Sequence, residues 1–293
     1  MDRLDAMAAF VLAVERGSLA AAARELRRSP PAITRAIVAL EDHVGSQLLR
    51  RTTRSLALTE AGEHYIAVCR RVLADLDEAD RVAGGQHTIP RGRLAITAPI
   101  AFGHLHVQPV VDAFLAAYPE VQVELALLDR VVHIIDEGFD VAVRIAALPD
   151  SSLIALRIGE VTRILCASPA YLRRCPPLAA PPDLVAHACI ASPPEGRGPW
   201  TFGRTSVRVP IRLAVNTASA AIASALAGNG IACVLSYQVE TELRTAKLVR
   251  VLAEHEPPPV PVHLVYGGTP PVAAKTRAFS SFALPRLRAA LAG

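Results

Sequence analysis

The spacing of the apolar residues changes once along the chain, near residue 90, and that change limits the folds open to it. Up to Ala83, apolar side chains recur every three or four residues, as on helices. From Leu94 onward, short apolar runs alternate with helical stretches. This second pattern builds mostly parallel sheets covered by helices. A helical head and an α/β body are therefore expected. The 293 residues suffice for each to bury a core of its own.

Three short helices and a hairpin account for the head. Leu4, Met7, Phe10, Val11 and Val14 line a first helix, which Gly17 breaks. Ser18 can cap a second, with Leu19, Ala22, Ala23 and Leu26 on one face. After Arg27-Arg28-Ser29, a third carries Ile33, Ile37, Leu40 and Val44, and Gly45 ends it. Two such helices with a tight connection match a helix-turn-helix. Leu48-Leu49, the basic run from Arg50 to Arg54 and Leu56-Ala57-Leu58 read as a two-stranded wing. Thr59 can cap a long fourth helix in which Tyr65, Cys69, Val72, Leu76, Ala79 and Ala83 follow heptad spacing. That seam fits an amphipathic helix packed on its own domain, or one paired across a dimer axis; its regularity favours the pair. Gly84-Gly85 to Gly92 reads as a linker. The domain boundaries expected are 1–58, 59–90 and 91–293.

Charge follows the same division. Residues 1–58 hold nine arginines, no lysine and six acids, whereas 59–293 hold 22 basic and 21 acidic residues. A net +3 on the head against +1 on the body suggests a small head facing a polyanion.

In the body, strands are expected over 94–97, 121–127, 141–145, 163–167, 188–191, 207–215, 231–235 and 260–266. Helices are expected over 103–117, 131–137, 169–174, 218–227 and 275–291. Seven prolines between 176 and 199 disfavour regular structure there. About 200 residues of this kind suit two α/β lobes around a cleft, the first of 91–162 with 268–293 and the second of 163–267.

Other classes are disfavoured. Five cysteines form an odd set without a C-x-x-C pair, against a zinc ribbon or a disulfide framework and in keeping with a reducing cytoplasm. Cys69 could cross-link a dimer, but a small apolar seam residue is the simpler role. His104 and His106 lack neighbouring thiol or carboxylate partners, so no metal is expected. Charges interrupt every apolar stretch before 18 residues, and Met1–Asp5 does not begin a secretory leader, so no membrane is expected as a partner. No G-x-S-x-G, H-E-x-x-H or phosphate-loop motif is present. No catalytic residue, cofactor or enzymatic activity is expected.

Phe10 to Leu26 reads FVLAVERGSLAAAAREL, Ser29 to Glu41 reads SPPAITRAIVALE, and Leu48 to Gly62 reads LLRRTTRSLALTEAG. In these stretches the chain resembles the LysR-type transcriptional regulators, with a weaker likeness in the body at pieces such as Phe139-Asp140-Val141-Ala142-Val143-Arg144. The resemblance implies an N-terminal winged helix-turn-helix, a dimerising linker helix and a two-lobed α/β effector domain like periplasmic binding proteins. It implies promoter DNA, a small-molecule effector, a second copy in a homodimer or homotetramer, and RNA polymerase as partners. Helix 30–44 is then the recognition helix, because a helix fits the major groove and its first turn reaches base edges. Ser29 is its N-cap. Pro30 and Pro31 fill positions where a missing N–H costs little, and can offer only apolar contact. Hydrogen-bond readout falls to Thr34 and Arg35, the latter on guanine or a phosphate. Arg50, Arg51 and Arg54 of the wing suit phosphates or a minor groove. Arg27 and Arg28 suit either phosphates or solvent.

Ligands of α/β sheets sit beyond the strand C-termini. Thr97, Ala98 and Pro99 are placed to hold an anion there. Arg144 suits a carboxylate effector or an internal ion pair, for instance with Asp140. Asn216 and Thr217 serve either the ligand or a helix cap. Two rivals remain: an enzyme with an appended DNA-binding head, and an architectural DNA-binding protein without an effector.

Overall fold

The computed structural model describes residues 2–292 except 52–55, 84–89, 131, 150, 193–197, 204 and 269–271, and not the side chains of 51, 75, 77–79 and 81–83. It divides into two compact units, one of 1–89 with 133–139 and one of 90–132 with 140–293.

The first unit contains α1 (Arg3–Glu15), α2 (Leu19–Glu25), α3 (Pro30–Val44), the antiparallel pair β1 (Leu49–Arg51) and β2 (Leu56–Leu58), and α4 (Glu60–Ala83). Its core gathers Met7, Phe10, Ile33, Ile37, Leu40, Leu48, Ile66 and Cys69. Ser18 caps α2 by accepting from the Ala21 N–H at 3.3 Å. Glu41 near the end of α3 accepts from the N–H groups of Leu48 and Leu49 at 2.9 and 3.0 Å, fastening the wing to that helix. Thr59 Oγ1 accepts from the Gly62 N–H at 3.0 Å and donates to the Gln47 carbonyl at 2.6 Å. A side chain at Gly62 would put its Cβ 2.1 Å from the Leu48 carbonyl oxygen, so only glycine lets α4 start this close to β1.

The seam on α4 divides in two. Cys69 is fully buried in the head core, with Tyr65 and Val72 packed against it, whereas Leu76 is 40% exposed. The side chains of Ala79 and Ala83, and the linker 84–89, lie outside the described residues. The first half of the seam thus belongs to its own domain's core.

In the second unit, β3 (Gly92–Ala98), β4 (Val121–Leu127), β5 (Val141–Ile145), β6 (Leu153–Val161) and β14 (Val260–Gly267) form a sheet in the order β4-β3-β5-β14-β6. The second sheet runs β11-β8-β12-β7-β13. Its strands are β7 (Arg163–Ala167), β8 (Cys189–Ala191), β11 (Ile211–Ala214), β12 (Ile231–Leu235) and β13 (Val249–Val251). A hairpin of β9 (Trp200–Phe202) and β10 (Thr205–Val207) accompanies it. The helix α5 (Ile100–Ala117) and α7 (Ala274–Ala292) cover the first sheet, and α6 (Ala218–Leu226) packs on the second. By length and composition α5 would suffice to cross a membrane. Here Phe102, Val107, Val110, Val111 and Phe114 enter the core of the first lobe, and Asp112 interrupts its apolar run.

Four expectations need correction. The sheets are mixed: β14 runs antiparallel to β5 and β6, and β7 antiparallel to β12 and β13. Strand 260–267 belongs to the first lobe, between β5 and β6, so the chain recrosses before residue 260 rather than at 267. Apolar alternation marks a strand but not the sheet that receives it. Residues 153–161, where the apolar pattern gives no strand, are an edge strand of nine residues. The helix expected over 131–137 is a set of turns, closed by the Phe139 N–H on the Ile134 carbonyl and by Gly138 at φ +75°.

Candidate nucleic-acid interface and ligand cavity

Helix α3 buries Ile33, Ala36, Ile37 and Leu40, and turns the opposite face outward. That face carries Pro31, Arg35 and Val38, with Thr34 half-buried beside them, at helical spacings of three and four residues. Pro30, at the first helical position, is exposed as well. Arg35 makes no hydrogen bond or ion pair among the described residues. Val38 is 41% exposed and was missed in the sequence, where β-branched residues in a helix read as core. Ser29 occupies the cap position, but its hydroxyl makes no cap bond. Its carbonyl accepts from the N–H groups of Ala32 and Ile33, the first bonds of the helix, while Pro31 leaves the hydroxyl no N–H at the second helical position.

Arg50 is exposed on β1, opposite Ala57, and Arg51 faces Leu56 in the same ladder. Arg54 lies outside the described residues. In the turn before α3, Arg27 holds φ +52° and Arg28 pairs with Asp5 at 3.6 Å, both side chains about half exposed. Such a surface pair is weak enough to yield to a phosphate.

The second unit has a cavity of about 330 Å³ whose walls come from both lobes. The first lobe supplies Ile100, His104, Leu105, Leu127 and Asp129. The second supplies Thr217, Ser219, Ile222 and Gln238. Another cavity, about 320 Å³, is walled by the second sheet, its hairpin and the segment after β13, so it does not lie between the lobes. A π-turn over Gly103–Val107 interrupts α5 where His104 and Leu105 reach the interlobe wall; such turns often occur at functional sites. His106, in the same turn, packs against Phe102 and against Tyr237 of the other lobe, with ring centroids 4.7 and 5.6 Å away. Burial holds its imidazole below the ordinary pKa, and nearby Glu240 opposes the shift.

Of the six body residues expected at a ligand, Thr217 alone is in this wall. It also caps α6, accepting from the Ala220 N–H at 3.4 Å. Thr97 and Ala98 are fully buried, because β3 is a central strand covered by packing. Pro99 precedes α5 and gives its carbonyl to the Gly103 N–H. Asn216 is exposed outside the wall. Arg144 donates to the Val132 carbonyl at 2.7 Å and is likewise outside the wall. Asp140, suggested as its ion-pair partner, instead meets Lys275 of α7 at 3.1 Å and accepts from the Ala95 N–H at 2.8 Å.

Two family models match these two regions. Residues 4–63 match the bacterial regulatory helix-turn-helix protein model of the lysR family, and residues 87–288 match the LysR substrate binding domain. The chain belongs to the LysR family. It is a LysR-type transcriptional regulator, with a DNA-binding head and an effector-binding domain of two α/β lobes. A transcriptional regulator of Xanthomonas campestris is 32% identical over 95% of this chain and 83% of its own length. A transcriptional repressor of Pseudomonas aeruginosa is 32% identical over 97% and 92%. Among solved structures, the full-length virulence activator AphB of Vibrio cholerae aligns with a TM-score of 0.62 at 28% identity, over 97% of this chain and 99% of that one. CrgA of Neisseria meningitidis aligns with a TM-score of 0.61 at 27% identity, over 97% and 98%. A repressor and an activator stand at similar identity, so likeness of this degree does not carry the sign of regulation.

Proposed function

We propose that this regulator reads promoter DNA with α3 in the major groove, Thr34 and Arg35 on base edges, and Pro30 and Pro31 in apolar contact. Ser29 starts the helix at the DNA backbone, and Arg50, Arg51 and Arg54 of the wing hold phosphates or the minor groove. The observation that supports the reading is the outward face of α3, where Arg35 makes no ion pair or hydrogen bond among the described residues. Binding of wild type, Arg35→Ala and Arg50→Ala to a selected operator and to its scrambled sequence tests it. Arg35→Ala should lose the preference between the two DNAs, and Arg50→Ala should weaken both alike. Equal losses for Arg35→Ala would make it a phosphate contact.

The effector is read as a small molecule between the lobes. Binding one lobe arrangement better than another shifts the population of states, and so the action of the regulator at RNA polymerase in the cytoplasm. The carboxylate effector loses the support of Arg144, which is outside the wall; of the described wall residues only His104 can carry a positive charge. The second half of α4 is read as the dimer contact of a homodimer or homotetramer. Leu76→Asp should dissociate it in sedimentation, since an unpaired charge on an apolar seam is costly. An intact dimer would move the contact to the effector domain.

A further inference from the structure

The interlobe cavity is mostly apolar, and its polar groups are largely engaged by the protein itself. Ile100, Leu105, Leu127 and Ile222 give it aliphatic walls. Ile100 and Leu105 remain 36% and 49% exposed. Thr217 is used as a helix cap, and Gln238 accepts from the Leu235 N–H at 2.9 Å and donates to Tyr237 at 3.3 Å. Asp129 is the acid of the wall. Its Oδ1 accepts from the N–H of Ile100, the first residue of α5, at 2.9 Å. Its other oxygen makes no hydrogen bond among the described residues.

This arrangement selects a ligand by charge. The helix N-terminus that would attract an anion is already occupied by the carboxylate of Asp129. An acidic effector would stand beside a like charge on a mostly aliphatic wall. A protonated amine would instead supply donors to the spare carboxylate oxygen in a charge-assisted bond, while its hydrocarbon covers the aliphatic wall. We infer that the cavity takes an amphiphilic amine: an apolar aryl or branched alkyl body whose ammonium group pairs with Asp129. The inference rests on the reading that the effector binds between the lobes.

Titration calorimetry on the full-length protein with 2-phenylethylamine, 2-phenylethanol and phenylacetate compares three charges on one body. The amine should bind best, roughly tenfold tighter than the alcohol, and phenylacetate worst. Asp129→Asn keeps an acceptor for the Ile100 N–H and removes the charge. It should weaken the amine roughly tenfold and leave the alcohol unchanged. Ser219→Trp, which fills the cavity from an exposed position, should abolish binding of all three. Phenylacetate binding as tightly as the amine, and lost in Ser219→Trp, would overturn the amine class while keeping the cavity as the effector site. Amine binding untouched by Ser219→Trp would overturn the cavity reading, and the inference with it. Absence of amine binding at millimolar concentration would also overturn the class, a result that needs no variant to fold.

Discussion

The head and the effector domain of this regulator present opposite surfaces. The head turns outward a helix face with an arginine on it and exposes Arg50 on the adjoining wing. The effector domain encloses a mostly aliphatic space in which an acid stands. Recognition on the head is a matter of exposed charge laid along a polyanion. The recognition proposed for the cavity is a matter of apolar contact around few polar groups. The two also differ in how they are assembled. The outward residues of α3 proposed to meet DNA lie within nine positions of one another, from Pro30 to Val38. The two walls of the cavity come from segments about 90 residues apart. A local site inherits its geometry from one helix, whereas a discontinuous site inherits it from sheet order.

Salt gives the strongest test of that contrast. Operator affinity should fall on the order of 10³-fold or more between about 50 and about 200 mM salt if a dimer neutralises roughly six or more phosphates. Binding of 2-phenylethanol to the cavity should hardly change over that range, because no charge pair is made. Equal salt slopes in fluorescence anisotropy and calorimetry would erase the distinction.

Within the head, Arg35→Ala should cost about 1–3 kcal/mol of discrimination between cognate and mutated base pairs. A competition assay on single-base operator variants measures it.

The integrity of the effector domain can be separated from the head through Lys275. Lys275→Met removes the partner of Asp140, a pair with 14% and 24% of its side chains exposed. Thermal unfolding should show a loss of about 2 kcal/mol from the effector domain, reflecting a partly buried carboxylate left unpaired. DNA binding by the folded head should be unchanged. An unaltered melting curve would make this pair a surface contact.

Val38→Ala should cost less, about 0.5–1 kcal/mol, if Val38 covers a thymine methyl beside the base read by Arg35. Replacing thymines by deoxyuridine one at a time in the operator should locate that methyl. The loss should then vanish for Val38→Ala on the matching uracil.

The smallest effect concerns His106. Its folded-state pKa lies below the ordinary value, so the unfolded chain binds more protons as pH falls. Stability from the neutral imidazole is therefore present above the ordinary histidine pKa and lost as pH drops below it toward the folded value. Melting temperatures from pH 7.5 to 5 should decline less steeply in His106→Phe than in the wild type. Parallel declines would show that other groups dominate.

Much of the head was legible because its determinants are local. Helix periodicity, the Ser18 cap, Gly17 and Gly45 at breaks, and the two prolines opening α3 all act within a few residues. Even there, Val38 needed the packing of α1 on α3 to show that its side of the helix is not core. In the body, the sequence by itself determined that strands and helices alternate and where most of them lie. Tertiary structure alone decided which sheet takes β14, since its apolar residues would suit either. It also decided that Thr97 is interior, that Arg144 turns to the Val132 carbonyl, and that Lys275 meets Asp140 from 135 residues away. Asp129 shows the physical reason most plainly. A lone acid after a strand carries no sequence pattern of its own. The fold brings the start of α5 to its carboxylate and the second lobe to the other side of the cavity.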